Sequence, residues 1–552
     1  MALCSETNNR THPMVLNEQE LLQIDEAFIH RLRAQDPDAL AGLSIKLAND
    51  LKEAMERLNQ NPTNSSKPSG SLAPWDKGSD SDDEASESEP DETHDGVAAD
   101  APTETVTRED ETGKAVSKFD CDAVQRTRKP GRQVGSPGFG RTQKLTVTAV
   151  EPHHCGYCRV CNADLVAVEK AYTGFYSINL KFGDAASAGV QLTNTHHLYY
   201  AGVCPRCGLD NRSSPNRLPA DTLDWERVGL TEWRLIGPDL AALIVYLSMD
   251  MRLTRRQVKR FLFDLFGLQL GIGSLQNCLV ESARALLPVE DQLAETLLSE
   301  SLIHADETSH PEAITRLWLW VFITSTTALF LIGTRSKELF NNLLDSSTPR
   351  FNGWLMSDGY SVYRDYFQRL RCWAHLIRKA KGLTESYHQS VRDYGIQVLD
   401  TLNHLMDAVY RAREGPDQGA CSITAEHQST LDDLRSACEA MGVCSHEKTR
   451  ALGREFLNDW DAIFRVLDHP AWPLTNNEAE RALRHWVILR KITQGTRSPQ
   501  GSRALALFAS IITTCRLRGH SPLLYIRDVI RLRRQGLDAP EIPDAATPIG
   551  AV

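Results

Sequence analysis

Three acidic residues stand where a carboxylate can become a metal ligand. "SLIHADETSH", residues 301–310, ends an apolar run on Asp306 and Glu307. "GWLMSDGY", residues 353–360, ends a similar run on Asp358. The third acid, Glu480, lies in "LTNNEAERALRHWVILRK". Alternation along a strand puts Asp306 and Glu307 on opposite faces, so only one can enter a given site. Acids at the ends of adjacent strands can converge on Mg²⁺, which takes oxygen ligands. A strand-end acid can equally be a turn or helix cap, and the residues alone leave both roles open. On a helical wheel Asn476, Glu480, Leu483 and Val487 share one stripe, with Glu478 about 160° from Glu480. A carboxylate on a stripe with buried leucine and valine needs a partner or a metal. A salt bridge to Arg484, one turn on, is the structural alternative. Thr475 or Asn476 is the expected N-cap.

Cysteines form the second group. "HHCGYCRVCNADL" holds two overlapping CxxC pairs, Cys155/Cys158 and Cys158/Cys161, and "YYAGVCPRCGLDN" supplies Cys204/Cys207. Two CxxC knuckles give the four thiolates of a structural Zn²⁺ site. Cys158 and Cys161 are preferred for the first knuckle because Asn162 and Leu165 follow at suitable spacings. Cys155, His153 and His154 are spare candidates. Redox CxxC chemistry is the alternative.

The elements around these residues follow from patterning. Residues 16–59 read as helix, with Leu47, Leu51, Met55 and Leu58 at four- and three-residue steps. A short coiled coil, a helical hairpin and one docked amphipathic helix all fit. Residues 76–118 are polar and acidic, with the composition of a disordered segment. A basic Gly/Pro-rich stretch, "QRTRKPGRQVGSPGFGRTQK", follows, and its composition forbids a long helix. It is either a phosphate-tracking arm, with Lys129 and Arg132, or a linker. Residues 237–298 read as helices, two of which resemble a helix-turn-helix by spacing alone. "LIHAD", "RLWLWVFITS" and "TALFLIGTR" predict a strand meander, and "GWLMSDG" a fourth strand after the helical "SKELFNNLLD". Residues 384–470 return to helical patterning, and 502–535 predict two more helices.

The chain has 552 residues, 41% hydrophobic, thirteen cysteines and a net charge of −11. That length allows several domains. No apolar run reaches the roughly eighteen residues of a membrane span. The N-terminus lacks the basic and apolar regions of a secretory signal, so a cytoplasmic protein is expected and a disulfide framework is not. Charge is unevenly placed. Residues 76–112 hold 15 Asp/Glu against Lys77 and Arg108, a net of −13, which leaves about +2 elsewhere. Arg481 to Arg534 carries 12 Lys/Arg against Asp528 alone. A basic face of this kind is an electrostatic footprint for phosphates, though an ordinary solvated surface is the alternative.

The ordered series "NSSKP", the basic Gly/Pro arm, the paired CxxC knuckles, "HADET", "SDGY", "CWAHLIRK", "NNEAERALR" and "RKITQGTRSPQGSRA" resembles the DDE transposases of the insertion sequence 66 family. The likeness runs from about residue 16 to 530. It departs at Pro68–Ser69, where the family has two prolines, at "CRVCN", and in an arm without its usual histidine. The resemblance implies a multidomain α+β chain. An N-terminal helical region spans 1–62, an acidic linker 63–118, a basic arm 119–150 and a zinc-knuckle domain 151–212. A DNA-binding-like helical domain covers 213–298. An RNase H-like α/β catalytic core follows at 299–515, with a helical insertion about 381–470, and 516–552 is a C-terminal tail. The resemblance implies a catalytic triad of Asp306, Asp358 and Glu480 holding two Mg²⁺ or Mn²⁺ ions. Cys372 and His375 match a CxxH feature of related transposases, and His375, Cys372 and Arg484 are supporting candidates. Arg490, Lys491 and Arg497 join Lys129 and Arg132 as expected phosphate contacts. The implied activity is cleavage and strand transfer at the terminal inverted repeats of a bacterial insertion sequence. It would run in a homo-oligomer associated with the nucleoid, with small accessory proteins as possible partners. A zinc-containing DNA-binding regulator, an inactive transposase remnant, or a nuclease that only hydrolyses are the rival readings.

Overall fold

The computed structural model describes residues 24–58, 145–183, 189–218, 229–345, 351–544. The acidic stretch and the basic arm, with Lys129 and Arg132, lie outside them. Near the N-terminus, helix α1 (Glu26–Gln35) is capped by Asp25, whose side chain accepts from the Phe28 amide. Helix α2 (Pro37–Leu58) follows one residue later. Asp36 ends the first and opens the second, its carboxylate accepting from the Ala39 amide at 3.0 Å.

A β-rich module follows. Strand β1 (Ala149–His153) precedes the short β2 (Val166–Ala167). The hairpin strands β3 (Thr173–Phe182) and β4 (Val190–Tyr199) pair antiparallel, and β1 adds parallel to β4. Strands β5 (Ala201–Val203) and β6 (Asp210–Arg212) join β2 in a second small sheet. Strands β7 (Arg217–Leu218) and β8 (Leu230–Thr231) form a two-stranded ribbon.

Helices α3 (Pro238–Val245), α4 (Arg255–Phe266) and α5 (Ile272–Leu298) come next. Thr254 and Gln257 make a reciprocal capping box at the start of α4. Gly267, at φ 61°, ends it in the left-handed conformation that glycine adopts without a Cβ clash. These helices do not close a core of their own. Leu240, Val258, Leu275, Leu286 and Leu293 share one core with Leu319, Val321 and Phe330 of the sheet beyond. Buried Glu281 of α5 also pairs with Arg234 at 3.0 Å and Arg534 at 3.1 Å. α5 therefore supports the sheet and is largely covered, while α4 packs on α5 and leaves Phe263 and Leu265 exposed.

The central sheet contains β9 (Leu302–Glu312), β10 (Thr315–Ile323), β11 (Ala328–Gly333), β12 (Trp354–Ser357) and β13 (Arg369–Arg371). Its strand order is β11-β10-β9-β12-β13. The first three form the expected antiparallel meander, while β12 is parallel to β9 and β13 to β12. From Leu317 onward β10 is apolar because both faces are covered, a pattern that alternation alone misses. Leu319, Val321 and Ile323 face one core. Trp320 and Phe322 face another with Phe340 of α6 (Lys337–Asp345) and Tyr363 of the turn 361–365.

After β13 come α7 (Trp373–Thr384), α8 (Gln389–Glu414), α9 (Gln428–Met441), α10 (Glu447–Asn458) and α11 (Trp460–Phe464). They enclose their own core of Leu376, Val398, Leu402, Leu434 and Phe456. Three helices close the fold: α12 (Asn477–Thr493), α13 (Pro499–Leu517) and α14 (Pro522–Arg534). Ser510 and Thr514 of α13 hydrogen-bond the backbone of β11, fixing the helix on the sheet. No helix among the described residues is long and apolar enough to cross a membrane.

Candidate active site and cysteine centre

Strand β9 sorts its residues by face. Asp306 is registered with Val321, on the side of α12, and Glu307 with Trp320, on the other. Beside it, β12 places Met356 level with His304. Two residues further along each chain, at the same height, stand Asp358, just past the end of β12, and Asp306, which lies within β9 and not at the strand end that the sequence suggested. Backbone amides orient both carboxylates: Glu307 N–H donates to Asp306 at 2.8 Å and Tyr360 N–H to Asp358 at 2.8 Å. Burial raises the Asp306 pKa well above the ordinary carboxylate range, and the charges of Asp358, Glu307 and Glu480 raise it further. Three carboxylates packed against a fourth cost free energy that a divalent cation would offset.

Glu480 reaches this corner from the first turns of α12. Its Oε1 lies 3.5 Å from Arg378 and 3.8 Å from His375 Nε2, both on α7. The pairing with Arg484 allowed by the sequence is replaced by contacts to Arg378 and His375, and Arg484 is exposed. Glu480 Oε1 and His375 Nδ1 are buried atoms without a hydrogen-bond partner. Cys372, His375 and Glu480 bring one donor atom each within 4.8 Å of one another. Burial, then Arg378, pushes His375 down to about 4, so it is a neutral base at neutral pH. Oxygen donors with an orphaned atom beside a raised Asp306 suit Mg²⁺ or Mn²⁺.

Asn476 behaves differently from the N-cap expected of it. It occupies the cap position of α12, but its side chain makes no capping bond. The amide instead donates to the Ala305 carbonyl at 2.7 Å and its oxygen meets His304 Nδ1 at 3.1 Å. Its backbone N–H points to Cys372 Sγ at 3.2 Å. One buried residue thus ties β9, α7 and α12, the elements that carry Asp306, His375 and Glu480.

Sequence reasoning missed the surroundings of Glu307. Its carboxylate accepts from Tyr363 Oη at 2.5 Å and Arg335 at 2.6 Å. Arg335 lies 4.1 Å from the Trp318 ring centre and 3.7 Å from that of Tyr360. Nothing in the spacing of these residues announces the cluster; only the apolar context of Glu307 hints that it needs a partner. Of the expected phosphate contacts, Lys491 and Arg497 are exposed. Arg490 is half-buried and donates to Thr308 at 3.1 Å and to the Ser309 carbonyl, so its guanidinium serves β9.

Cys158, Cys161, Cys204 and Cys207 come together, with sulfur separations of 3.6, 3.3 and 3.6 Å. A tetrahedral zinc with about 2.3 Å bonds sets its sulfurs about 3.8 Å apart. The two loops repeat one geometry. Asn162 N–H returns to the Cys158 carbonyl at 2.9 Å, and Gly208 N–H to that of Cys204 at 2.9 Å. Both residues have positive φ, 53° and 72°. Cys155 is outside the foursome, and burial raises its thiol pKa.

Residues 234–504 match the family model described as "Transposase IS66 family". This stretch of the chain belongs to the IS66 transposase family. It contains all three acids and both elements of the CxxH pair, while the cysteine module lies before it. The chain is also similar to proteins of Sinorhizobium fredii (strain NBRC 101917 / NGR234) described as uncharacterized. It is 26% identical to y4qI over 281 residues, 46% of this chain and 51% of that protein. It is 23% identical to y4hP over 329 residues, 53% of this chain and 59% of the relative. The match therefore spans little more than half the length of these curated relatives.

Proposed function

We propose that this IS66-family chain is the DNA transposase of a bacterial insertion sequence. It binds the element's terminal inverted repeats and catalyses metal-dependent cleavage and strand transfer in an RNase H-like core. One observation carries the reading: Asp306 within β9 and Asp358 just past the end of the parallel β12 stand at matched height, with Glu480 close enough to raise Asp306. The strand order, a three-stranded meander followed by two parallel strands, supports the same core. Divalent cations held by Asp306, Asp358 and Glu480 would activate an attacking oxygen and stabilise the leaving 3′ oxygen. The protein's own residues prepare that site. Asn476 fixes the distance between β9 and α12, and Arg378 with His375 holds Glu480. Arg335 and Tyr363 keep Glu307 turned away from the other acids.

No serine or tyrosine nucleophile is required, because water and then the freed 3′ hydroxyl can use the same site. In this reading exposed Lys491 and Arg497, with Lys129 and Arg132 of the arm, would contact phosphates. The cysteine module, holding Zn²⁺, would read or hold the repeats. A homo-oligomer pairing two ends, on the nucleoid and with accessory proteins, completes the proposal. The test is purified protein with labelled terminal-repeat DNA and Mg²⁺. Nicked and strand-transfer products are expected from wild type and neither from Asp358→Asn, which still binds. Equal cutting by both, or binding without cutting by wild type, would favour a regulator or inactive remnant. Hydrolysis without strand transfer would favour a nuclease.

A further inference from the structure

We infer that the β-rich module carries a second transition-metal site, separate from the four cysteines and made by Glu151, His153 and His197. Glu151 and His153 stand two apart on β1 and so share one face. The parallel register sets Glu151 opposite His197 of β4. Nδ1 of His197 lies 3.1 Å from Oε2 of Glu151 and 3.1 Å from Nε2 of His153. The three donor atoms all fall within 4.8 Å of one another. His153 is thereby taken out of the reserve of cysteine-site ligands that the sequence allowed.

Hydrogen bonding alone serves this cluster poorly. Nδ1 of His197 carries at most one proton. If the proton is present, Glu151 and His153 compete for it. If it is absent, the nitrogen lone pair faces a carboxylate. A cation satisfies all three lone pairs at once. Zn²⁺ with bonds of about 2.0–2.2 Å to nitrogen and oxygen sets neighbouring ligands about 3.3 Å apart, close to both measured contacts. Two imidazoles and one carboxylate suit Zn²⁺ or a similar borderline metal.

The imidazoles are also held for the task. His197 is stacked between Phe175 at 4.7 Å and His153 at 5.4 Å, and His153 stacks on Tyr199 at 4.5 Å. Glu151 is more than half exposed, so one side of the group opens to solvent and leaves a coordination position for water. The mechanical consequence falls on β1. That strand is largely exposed and lies at the edge of its sheet, yet it is the first strand after the basic arm. A metal bridging β1 to β4 would pin the point where the arm joins the module.

Cobalt(II) as a stand-in for zinc tests this on the full chain, after gel filtration removes weakly held metal. About two equivalents per chain are expected. One should show sulfur-to-cobalt charge transfer, and the other only the weaker bands of nitrogen and oxygen ligands. His197→Ala should lose the second kind and keep the charge-transfer band, and Cys161→Ser should do the reverse. Glu151→Gln changes an exposed side chain and should weaken the thiolate-free site at least about tenfold with the fold intact by circular dichroism. Asp306→Asn should leave the site unchanged, which separates it from the proposed catalytic acids. Retention of the thiolate-free equivalent in both His197→Ala and Glu151→Gln overturns the inference. So does a wild type that holds only thiolate-bound metal.

Discussion

Replacing Asp306 by asparagine separates the catalytic role proposed for this residue from what it costs the fold. Cleavage of repeat DNA should fall by roughly a hundredfold or more, the scale for removing one electrostatic stabiliser of a transition state. Stability should move the other way. Asp306 has a raised pKa in the folded state, so the folded protein holds its proton more tightly than the unfolded chain does. Its contribution therefore turns unfavourable as pH rises above about 3.9. In chelator at neutral pH, Asp306→Asn should melt higher than wild type, and the gain should vanish near pH 4; an unchanged melting temperature would contradict this. His310 supplies the opposite sign. It is fully buried, meets Thr496 Oγ1 at 3.1 Å, and is pushed down to about 4, mainly by burial. The unfolded chain then binds more protons between about pH 6.5 and 4, so stability present above that window is lost on acidification. The loss is on the order of 3 kcal/mol and should be absent in His310→Gln, as calorimetry across the window would register. At this scale the sequence was informative where periodicity applied. Alternation separated Asp306 from Glu307, and the helical wheel preferred Glu480 to Glu478. It was silent on Asn476, whose amide serves a strand 171 residues away instead of its own helix.

Elements couple where the helical insertion meets the end of the sheet. β13 was not legible as a strand, because "RLR" shows no apolar alternation and its arginines read as surface. Both are buried, Arg371 at 1% exposure, and their partners lie far ahead on α10 and at its end. Arg369 pairs with Asp459 at 2.8 Å and Arg371 with Glu455 at 2.5 Å, across 90 and 84 residues. No local pattern can encode such pairs. The meander, by contrast, was readable from β-branched and aromatic runs broken by turn residues, and the long helices from their periodicity. The ion-pair network also has a consequence for the site. A Cβ at Gly359 would stand 2.5 Å from Arg371 Nη1, so the residue after Asp358 rests directly on this arginine. Asp459 also lies 3.5 Å from Arg371 Nε, so Asp459→Ala would strip buried Arg369 of its partner, loosen Arg371, and cost about 3–5 kcal/mol. It should also lower cleavage by displacing the Asp358 turn while leaving repeat affinity near wild type. Denaturant titration and filter binding on the same variant check the two halves, and a stable, fully active Asp459→Ala would refute the coupling.

At the scale of the whole chain the leading question is how a protein with net charge −11 would approach DNA, as the proposed function requires. The answer lies in where the charges sit, since residues 76–112 contribute −13 and the stretch from Arg481 to Arg534 is strongly basic. Several of those cations are already committed: Arg503 to Glu290, Arg516 to Asp250, Arg534 to Glu281 and Arg490 to β9. The basic surface left for phosphates is therefore smaller than composition suggests, and exposed Lys491 and Arg497 carry more of it. A tethered acidic segment able to reach such a surface would compete with DNA for it at high effective concentration. Deleting residues 76–112 brings the net charge to about +2 and should tighten binding to repeat DNA by about tenfold at low salt. The difference should shrink as ionic strength rises, because the screening length falls to about 10 Å at 0.1 M. The log–log salt dependence of the deletion protein should consequently be steeper than that of wild type, where salt weakens the internal competitor and the DNA contact together. Equal affinities and equal slopes would mean that the segment never meets the basic surface, and its charge would then bear on solubility alone.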